Sequence, residues 1–252
     1  MAKKSILDMT QDILSDMNSD EVSSITDTLE SLQVAQIIKS TYEDMMSNKN
    51  WDHLRKLTQL NASGTTSRPT HMKVEENIKE VVSLSYNKQN STQTSPRWQE
   101  VEYMLPDDFL RYTNSRNSDN SDTDEIADVS GVELLIKNDK APQYYTSFDD
   151  EYIVFDSYDS AVDSTLQANK TQVVAYVMPT FTLSDTFVPD LPAEMFSVLL
   201  AEAKSTCFAR IKQMPDGKAE QQSRKGRSWA SQRAFQVAGG WNFPSFGRTS
   251  QK

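Results

Sequence analysis

The sequence predicts an α+β fold in which N- and C-terminal segments form a helical bundle around an inserted, mainly antiparallel β-domain. Apolar residues recur every three or four positions near both ends of the chain, whereas the middle of the chain has the alternating pattern that is typical of strands. Each long apolar stripe needs a partner face, so we expect the terminal helices to pack together. The expected units are a helical bundle of residues 1–60 and 188–238, a β-rich domain of residues 61–187, and an extended C-terminal tail of residues 239–252.

The first predicted helix spans about residues 19–47. Asn18 and Glu21 have the spacing of a capping pair, and apolar side chains follow mostly at intervals of three and four residues. No element is predicted before Asn18, because Asp8, Asp12 and Asp16 interrupt the apolar residues there. A second, short helix is expected after Asn50, with Trp51, Leu54 and Leu57 on one side.

The central part of the chain reads as strands separated by polar loops. Turn-forming residues predict an exposed loop over 61–70, and a flexible acidic loop is expected from Thr113 to Asp128. A short helix is expected at Pro106–Tyr112. Strands are predicted at Val81–Tyr86, Val101–Tyr103, Val132–Ile136, Gln143–Ser147, Tyr152–Phe155 and Thr171–Val177.

Two further helices are predicted near the C-terminus. The first begins near Pro192 and continues to Met214, where Pro215 ends it. Asp216 is placed to cap a second helix that extends to about Val237. This last helix is basic and only weakly apolar, which predicts that its partner is not the intramolecular core alone.

The charge of the chain is strongly polarised. The 252 residues carry a formal net charge of −10, but residues 204–252 alone hold ten basic and two acidic residues. An acidic body with a basic end favours head-to-tail contact or contact with a partner. No apolar run is long enough for a transmembrane helix, and the acidic N-terminus is unlike a secretory signal, so we expect no membrane anchor and a chain that stays where it is made.

Few residues could support catalysis, and we expect no enzyme activity, no cofactor and no metal. His53 and His71 do not have a metal-binding spacing, and Cys207 falls on an apolar helical stripe, which predicts a buried, inert thiol. Seven glycines provide no phosphate-binding loop. The segment that begins Asp122-Thr-Asp124 fails as a calcium loop, because Ile126 and Ala127 stand where an oxygen ligand and glycine are needed.

Four segments resemble a known family. They are DILSDMNSDEVSSITDTLESLQVAQIIKSTYEDM near the N-terminus, NWDHLRKL from Asn50, LIKNDKAPQYYTSFDDEYIVFDSYDS over 135–160 and PDLPAEMFSVLLAEAKSTCFARIKQM over 189–214. In their texture and order these segments resemble the head-to-tail adaptors, or tail tubular proteins, of short-tailed phages.

This resemblance implies a structural virion protein made in the host cytoplasm and located at the head-to-tail interface. Twelve copies of such an adaptor form a ring below the portal, extend the DNA channel and join the downstream tail nozzle or tail proteins. DNA passes through the ring without sequence-specific binding. A negative lumen fits that role, because a wall that bound phosphates would hold the DNA.

The C-terminal segment 216–248 is the predicted portal-docking element. Its basic and aromatic side chains are of the types that dominate interfaces. The candidate docking residues are Arg224, Lys225, Arg227, Trp229, Arg233, Phe235, Trp241, Phe243 and Phe246. The alternative left open is a nucleic-acid-binding module that uses Arg224, Lys225, Arg227 and Arg233 as phosphate contacts.

Overall fold

The computed structural model describes residues 3–90 and 93–237, which form five α-helices and ten β-strands. This confirms the predicted α+β class. The chain divides into a helical unit, Met1–Leu54 with Pro179–Lys252, and a β unit, Arg55–Met178, that is inserted between its two parts. The division falls at residues 54/55 and 178/179, whereas the sequence analysis set it at 60/61 and 187/188.

The helical unit begins with a helix that the sequence analysis missed, α1 (Ile6–Asp16). Ser5 and Asp8 form a capping box at its start, and the buried side chains include Ile6, Met9, Ile13 and Leu14. The three aspartates that argued against an element here are spaced by four residues, so they share one face of the helix. Asp12 pairs with Lys4 on that face, and the acids therefore do not disturb the buried side.

The second helix, α2 (Leu29–Ser47), is shorter than predicted. Asn18 does not cap it, because Asn18 has a φ of 55° and follows the end of α1. The cap is Thr28, which forms a capping box with Ser31. Val22 and Ile25 are buried although they lie in a non-helical segment. Their apolar spacing therefore placed the start of the predicted helix too early in the chain.

The C-terminal helices complete this unit. Helix α4 (Phe196–Arg210) packs against α2, as the matched apolar stripes predict, and also against the unpredicted α1. Helix α5 (Gly217–Val237) packs against α4. Helix α4 begins four residues after Pro192, which lies in the preceding turn. Beyond α4, Lys212 forms an ion pair with Glu30 of α2, with an Nζ–Oε1 distance of 3.2 Å.

The β unit is built on one mixed sheet with the order β1-β10-β4-β5-β8-β9-β3-β2. All described pairings in it are antiparallel except β5 with β8, so the mainly antiparallel prediction is confirmed. A separate hairpin joins β6 to β7. The strands are β1 (Arg55–Thr58), β2 (Asn61–Ala62), β3 (His71–Lys73), β4 (Ile78–Asn87), β5 (Trp98–Tyr103), β6 (Thr123–Ala127), β7 (Glu133–Lys137), β8 (Tyr144–Thr146), β9 (Tyr152–Phe155) and β10 (Thr171–Val177).

Three predicted non-strand segments contain strands. The loop expected over 61–70 begins with β2 and ends with the buried Pro69 and Thr70. The helix expected after Asn50 is reduced to a single 3₁₀ turn, Asp52–Leu54, and the chain continues as β1. The acidic loop expected over 113–128 contains β6, which pairs with β7, and two of its acids have close partners. Asp122 pairs with Lys137, and Asp124 accepts hydrogen bonds from Tyr158 Oη at 2.6 Å and Asn138 Nδ2 at 2.9 Å.

A buried ion pair fixes the predicted short helix, which is α3 (Pro106–Asn114), to the sheet. Just beyond α3, Arg116 Nη2 lies 3.0 Å from Asp156 Oδ2, and the two side chains are only 7% and 0% exposed. Arg116 Nη1 also donates to the carbonyl oxygens of Leu135 and Asp156, at 2.9 and 2.6 Å. The ion pair is thus a buried polar contact in the β unit, whose apolar core includes Phe109.

Candidate docking surface on the C-terminal helix

Helix α5 begins as the sequence predicts. Asp216 Oδ1 accepts hydrogen bonds from the backbone N–H groups of Lys218 and Ala219, at 3.0 and 3.1 Å. These donors are among the first-turn groups that have no partner inside a helix. The predicted Asp216 cap is therefore confirmed.

The face of α5 that packs on α4 is made of small side chains. Ala219, Ser223, Gly226 and Ala230 follow at intervals of four, three and four residues, and all but Gly226 are at most 5% exposed. A Cβ atom at Gly226 would lie only 2.7 Å from Cγ2 of Val198. The two helices therefore approach closely here. Helix α5 has a partner inside the helical unit although its sequence is only weakly hydrophobic.

Polar contacts hold α5 in the helical unit. Glu202 of α4 accepts from Ser223 Oγ and forms an ion pair with Arg227 Nη2, with the Oε1–Nη2 distance 2.9 Å. At the other end of the helix, Lys49 Nζ donates to the carbonyl oxygen and the Oγ of Ser231, at 3.1 and 2.6 Å. These contacts fix the rotation of α5 and so decide which of its side chains face solvent.

The exposed side chains on α5 include basic and aromatic ones. Lys218, Gln222, Lys225 and Trp229 are all exposed and follow at intervals of four, three and four residues. They form one stripe, about 100° around the helix from the small residues. Trp229 is 48% exposed. We call these four residues the α5 outer stripe.

The predicted docking residues do not share one environment. Arg224 is largely exposed but pairs with Glu220, and Arg227 is half-exposed while it pairs with Glu202. Lys225 and Trp229 lie on the outer stripe. Arg233 and Phe235 belong to α5, but the described side chains end before them, and Trp241, Phe243 and Phe246 lie outside the described residues.

A buried histidine–aspartate pair in the β unit was not predicted from the sequence. His71 Nε2 lies 3.0 Å from Asp128 Oδ1, and Ser130 donates to Asp128 Oδ2 from its Oγ at 2.8 Å and its backbone N at 3.0 Å. Burial lowers the pKa of His71. Burial raises the pKa of Asp128, but the hydrogen bonds from Ser130 and His71 outweigh it and bring the pKa to about 2.

This cluster lacks the geometry of nucleophilic catalysis. An activated serine donates its proton to the imidazole, whereas Ser130 donates to the carboxylate of Asp128. The neutral His71 therefore donates Nε2–H to Asp128, and its Nδ1 has no hydrogen-bond partner within residues 3–90 and 93–237. The arrangement ties β3 to the β6–β7 turn.

The remaining candidate groups give no site in the described part of the chain. Cys207 is buried, and burial raises the pKa of its thiol to about 12, in agreement with the predicted inert thiol. Among the described side chains, no three His, Cys, Asp or Glu residues are grouped to hold a metal ion. Within the same residues, no helix is both long and apolar enough to cross a bilayer.

Comparison with known proteins adds no relative to this description. No protein-family model matches the chain, and no curated protein is significantly similar to it.

Proposed function

We propose that the chain is a head-to-tail adaptor of a short-tailed phage. In this proposal a ring of copies, twelve by the resemblance, lies below the portal, extends the DNA channel and joins the downstream tail proteins. The protein is a structural component of the virion without enzymatic activity, and α5 with the following tail binds the portal.

The observation that carries the proposal is the outer stripe of α5. The inner face of α5 is fixed to α4 through contacts of Gly226 and Glu202. The exposed Lys225 and Trp229 are therefore held in a defined position. Tryptophan is among the residue types that are most enriched at interface hot spots, and Trp229 is 48% exposed here. The order of a helical segment, an inserted β unit and a second helical segment also agrees with the resemblance.

The same geometry favours a protein partner over nucleic acid. Two of the four proposed phosphate contacts, Arg224 and Arg227, already pair with Glu220 and Glu202. Phosphate binding by these guanidinium groups requires the loss or sharing of those pairs. A protein interface, in contrast, uses the aromatic surface of Trp229 directly.

Portal binding tests the proposal. The double variant Lys225→Glu/Trp229→Ala should lower the occupancy of isolated portals at least about tenfold, which corresponds to a loss of about 1.4 kcal/mol. The matched control is Lys73→Glu/Trp98→Ala, which changes an exposed lysine and an exposed tryptophan of the β unit. Mass photometry of portal–adaptor mixtures gives the occupancy. Equal loss in both double variants would contradict a docking role for α5.

Deletion of residues 239–252 tests the predicted tail. The truncated chain should remain folded, because the described contacts of α5 lie before this segment, but it should no longer join the portal. Normal stoichiometry of the truncated chain on portals would show that the tail is dispensable for docking.

Binding to random duplex DNA separates the alternative. An adaptor should bind weakly at all salt concentrations, whereas a nucleic-acid-binding module should lose affinity steeply as salt rises. A steep slope that Arg224→Ala and Lys225→Ala each reduce by about one would support the DNA-binding alternative and contradict the adaptor.

A further inference from the structure

The sheet of the β unit splits beside the N-terminal half of β4. Strand β5 pairs with β4 only over Trp98–Val101 and then leaves it to pair with β8 from Glu102 onward. Residues 78–83 of β4 keep β10 on one side, and no described strand pairs with them on the other. The pairing of β4 with β10 has two irregularities in this half. One lies between Val174 and Ala175 of β10, and the other lies between Tyr176 and Val177.

A groove of about 560 Å³ lies along this open edge. Its apolar lining comes from both sides of the split and includes Ile78, Val81, Tyr103, Tyr145 and Ile153. Tyr103 is 55% exposed and Val82, also in the lining, is 42% exposed. An apolar groove beside an open strand edge is the kind of site that accepts an extended segment by strand addition.

The other edge of the same strands carries a complementary feature. Among the described strands, β1 pairs with β10 alone, and its residues Arg55, Lys56 and Leu57 are exposed. Leu57 is 71% exposed, an unusual state for a leucine in a strand. Over β1, β10 and residues 78–83 of β4, the sheet is thus three strands wide with an available edge at each side.

We propose that β1 of one copy pairs with the open edge of β4 in the next copy. Two different edges on one unit make a heterologous contact, and repetition of such a contact closes a ring when the rotation between copies is a whole fraction of a turn. The inference rests on the ring of the proposed function and assigns the strands that link its subunits. It goes beyond the α5 surface, which is directed at the portal.

The strand directions agree with a ring. Strands β1 and β4 are each antiparallel to β10, so they run in the same direction within one copy. Neighbouring copies in a twelve-membered ring differ by a rotation of about 30°, which nearly preserves strand direction. The new pair of β4 with the neighbour's β1 is therefore parallel, and a two-fold dimer would instead make like edges meet.

The side chains of the two edges are also complementary. Leu57 supplies an apolar side chain to a groove whose lining is largely apolar. Arg55, which is exposed on β1, is opposite in sign to Asp150, which lies in the groove lining together with Lys79 and Glu80. Main-chain hydrogen bonds from a four-residue strand provide the rest of the contact.

A charge at the apolar position tests the contact. Leu57→Asp should lower the fraction of copies in ring assemblies at least about tenfold, because it places a carboxylate in the groove. The matched control is Leu29→Asp, since Leu29 is 73% exposed at the start of α2. Both variants should give the circular dichroism of the parent chain. Equal assembly of the two variants would overturn the inference.

Disulfide trapping identifies the two edges directly. Copies with Leu57→Cys mixed with copies with Val82→Cys should form disulfide-linked dimers on oxidation, and copies that carry both changes should form a ladder. Copies with Leu29→Cys mixed with Val82→Cys copies should stay unlinked, and the buried Cys207 remains in all of them. The measurement is made on concentrated protein and on protein bound to portals.

The outcomes separate this inference from the proposed function. Rings on portals without a Leu57–Val82 link would overturn the strand pairing and leave the adaptor role intact. A ladder in concentrated protein that never binds portals would support the pairing and contradict the adaptor role. The absence of both assembly and linkage would contradict the two proposals together.

Discussion

Replacement of Arg116 by methionine should destabilise the β unit strongly. The guanidinium is 7% exposed, pairs with the fully buried carboxylate of Asp156 at 3.0 Å, and lies with its Cζ 4.8 Å from the ring centroid of Tyr112. Methionine fills much of the same volume and keeps the apolar contact with the ring. The change therefore removes the charge and the hydrogen bonds with little loss of packing.

The expected loss in the free energy of unfolding follows from the buried groups that Arg116 leaves without a partner. Asp156 Oδ1 still accepts from the backbone N–H groups of Gln143 and Tyr144, at 2.9 and 3.0 Å, but the buried carboxylate loses its cation. Loss of one partner of a buried ion pair costs about 3–5 kcal/mol. The Leu135 carbonyl oxygen also loses the hydrogen bond that Arg116 donates.

A double-mutant cycle isolates the pair. In Arg116→Met/Asp156→Asn the amide oxygen can keep the two backbone hydrogen bonds, and no charge is left unpaired. The two single changes should therefore cost more in sum than the double variant, with a coupling free energy of about 2–3 kcal/mol. The matched control is Arg111→Met in the preceding helix α3, where the ion pair of Arg111 with Asp108 is exposed and should contribute less than about 1 kcal/mol.

Hydrogen exchange in increasing urea measures these free energies in the β unit alone. Peptides that cover β8 and β9 report the opening of the sheet, independently of the helical unit. Coupling below about 0.5 kcal/mol, or an effect of Arg116→Met no larger than that of Arg111→Met, would refute the reasoning.

Two further perturbations test the helix contact and the buried histidine. Gly226→Ala should speed hydrogen exchange in α5, because the new Cβ would lie 2.7 Å from Val198 Cγ2, and Val198→Ala in the same chain should reverse the effect. Acidification from about pH 7 to 5 should destabilise the β unit, because burial lowers the pKa of His71 and the unfolded chain takes up the proton first. His71→Gln should reduce that pH dependence in urea unfolding, and an unchanged dependence would contradict the assigned pKa direction. Further loss is expected as the pH falls from about 4 towards 2, where Asp128 is protonated.

Local sequence signals predict the elements whose burial is regular. Strand β9 and strand β10 are found at the predicted residues, Tyr152–Phe155 and Thr171–Val177, because alternation and β-branched residues mark them directly. The start of α3 is also as predicted, since Pro106 is favourable in a first helical turn.

Local sequence signals gave wrong predictions at helix α1 and in the segment before α2. An apolar spacing of three or four residues cannot distinguish a helix from a non-helical segment whose apolar side chains are buried, as are Val22 and Ile25. The cap of α2 pairs Thr28 with Ser31, and serine in place of glutamate makes the motif hard to see. The start of α2 is thus set by a local cap, whereas the burial of Val22 and Ile25 depends on tertiary packing.

Long-range contacts also hid part of the candidate surface. The pair of Arg224 with Glu220 has the i, i+4 spacing and was readable in the sequence, but the pair of Arg227 with Glu202 joins two helices. The buried contact between His71 and Asp128 likewise spans 57 residues. No local pattern connects such positions.

The small residues of α5 change the reason for treating this helix as a docking element. The basic, weakly apolar sequence of α5 predicted a partner beyond the intramolecular core, yet Ala219, Ser223 and Ala230 are buried, and Gly226 closely approaches Val198 of α4. Small side chains bury little apolar area, so a helix can be firmly packed while its sequence looks polar. The case for docking therefore depends on the side that this packing leaves in solvent. There, the 48% exposure of Trp229 beside Lys225 is the feature that an external partner would explain.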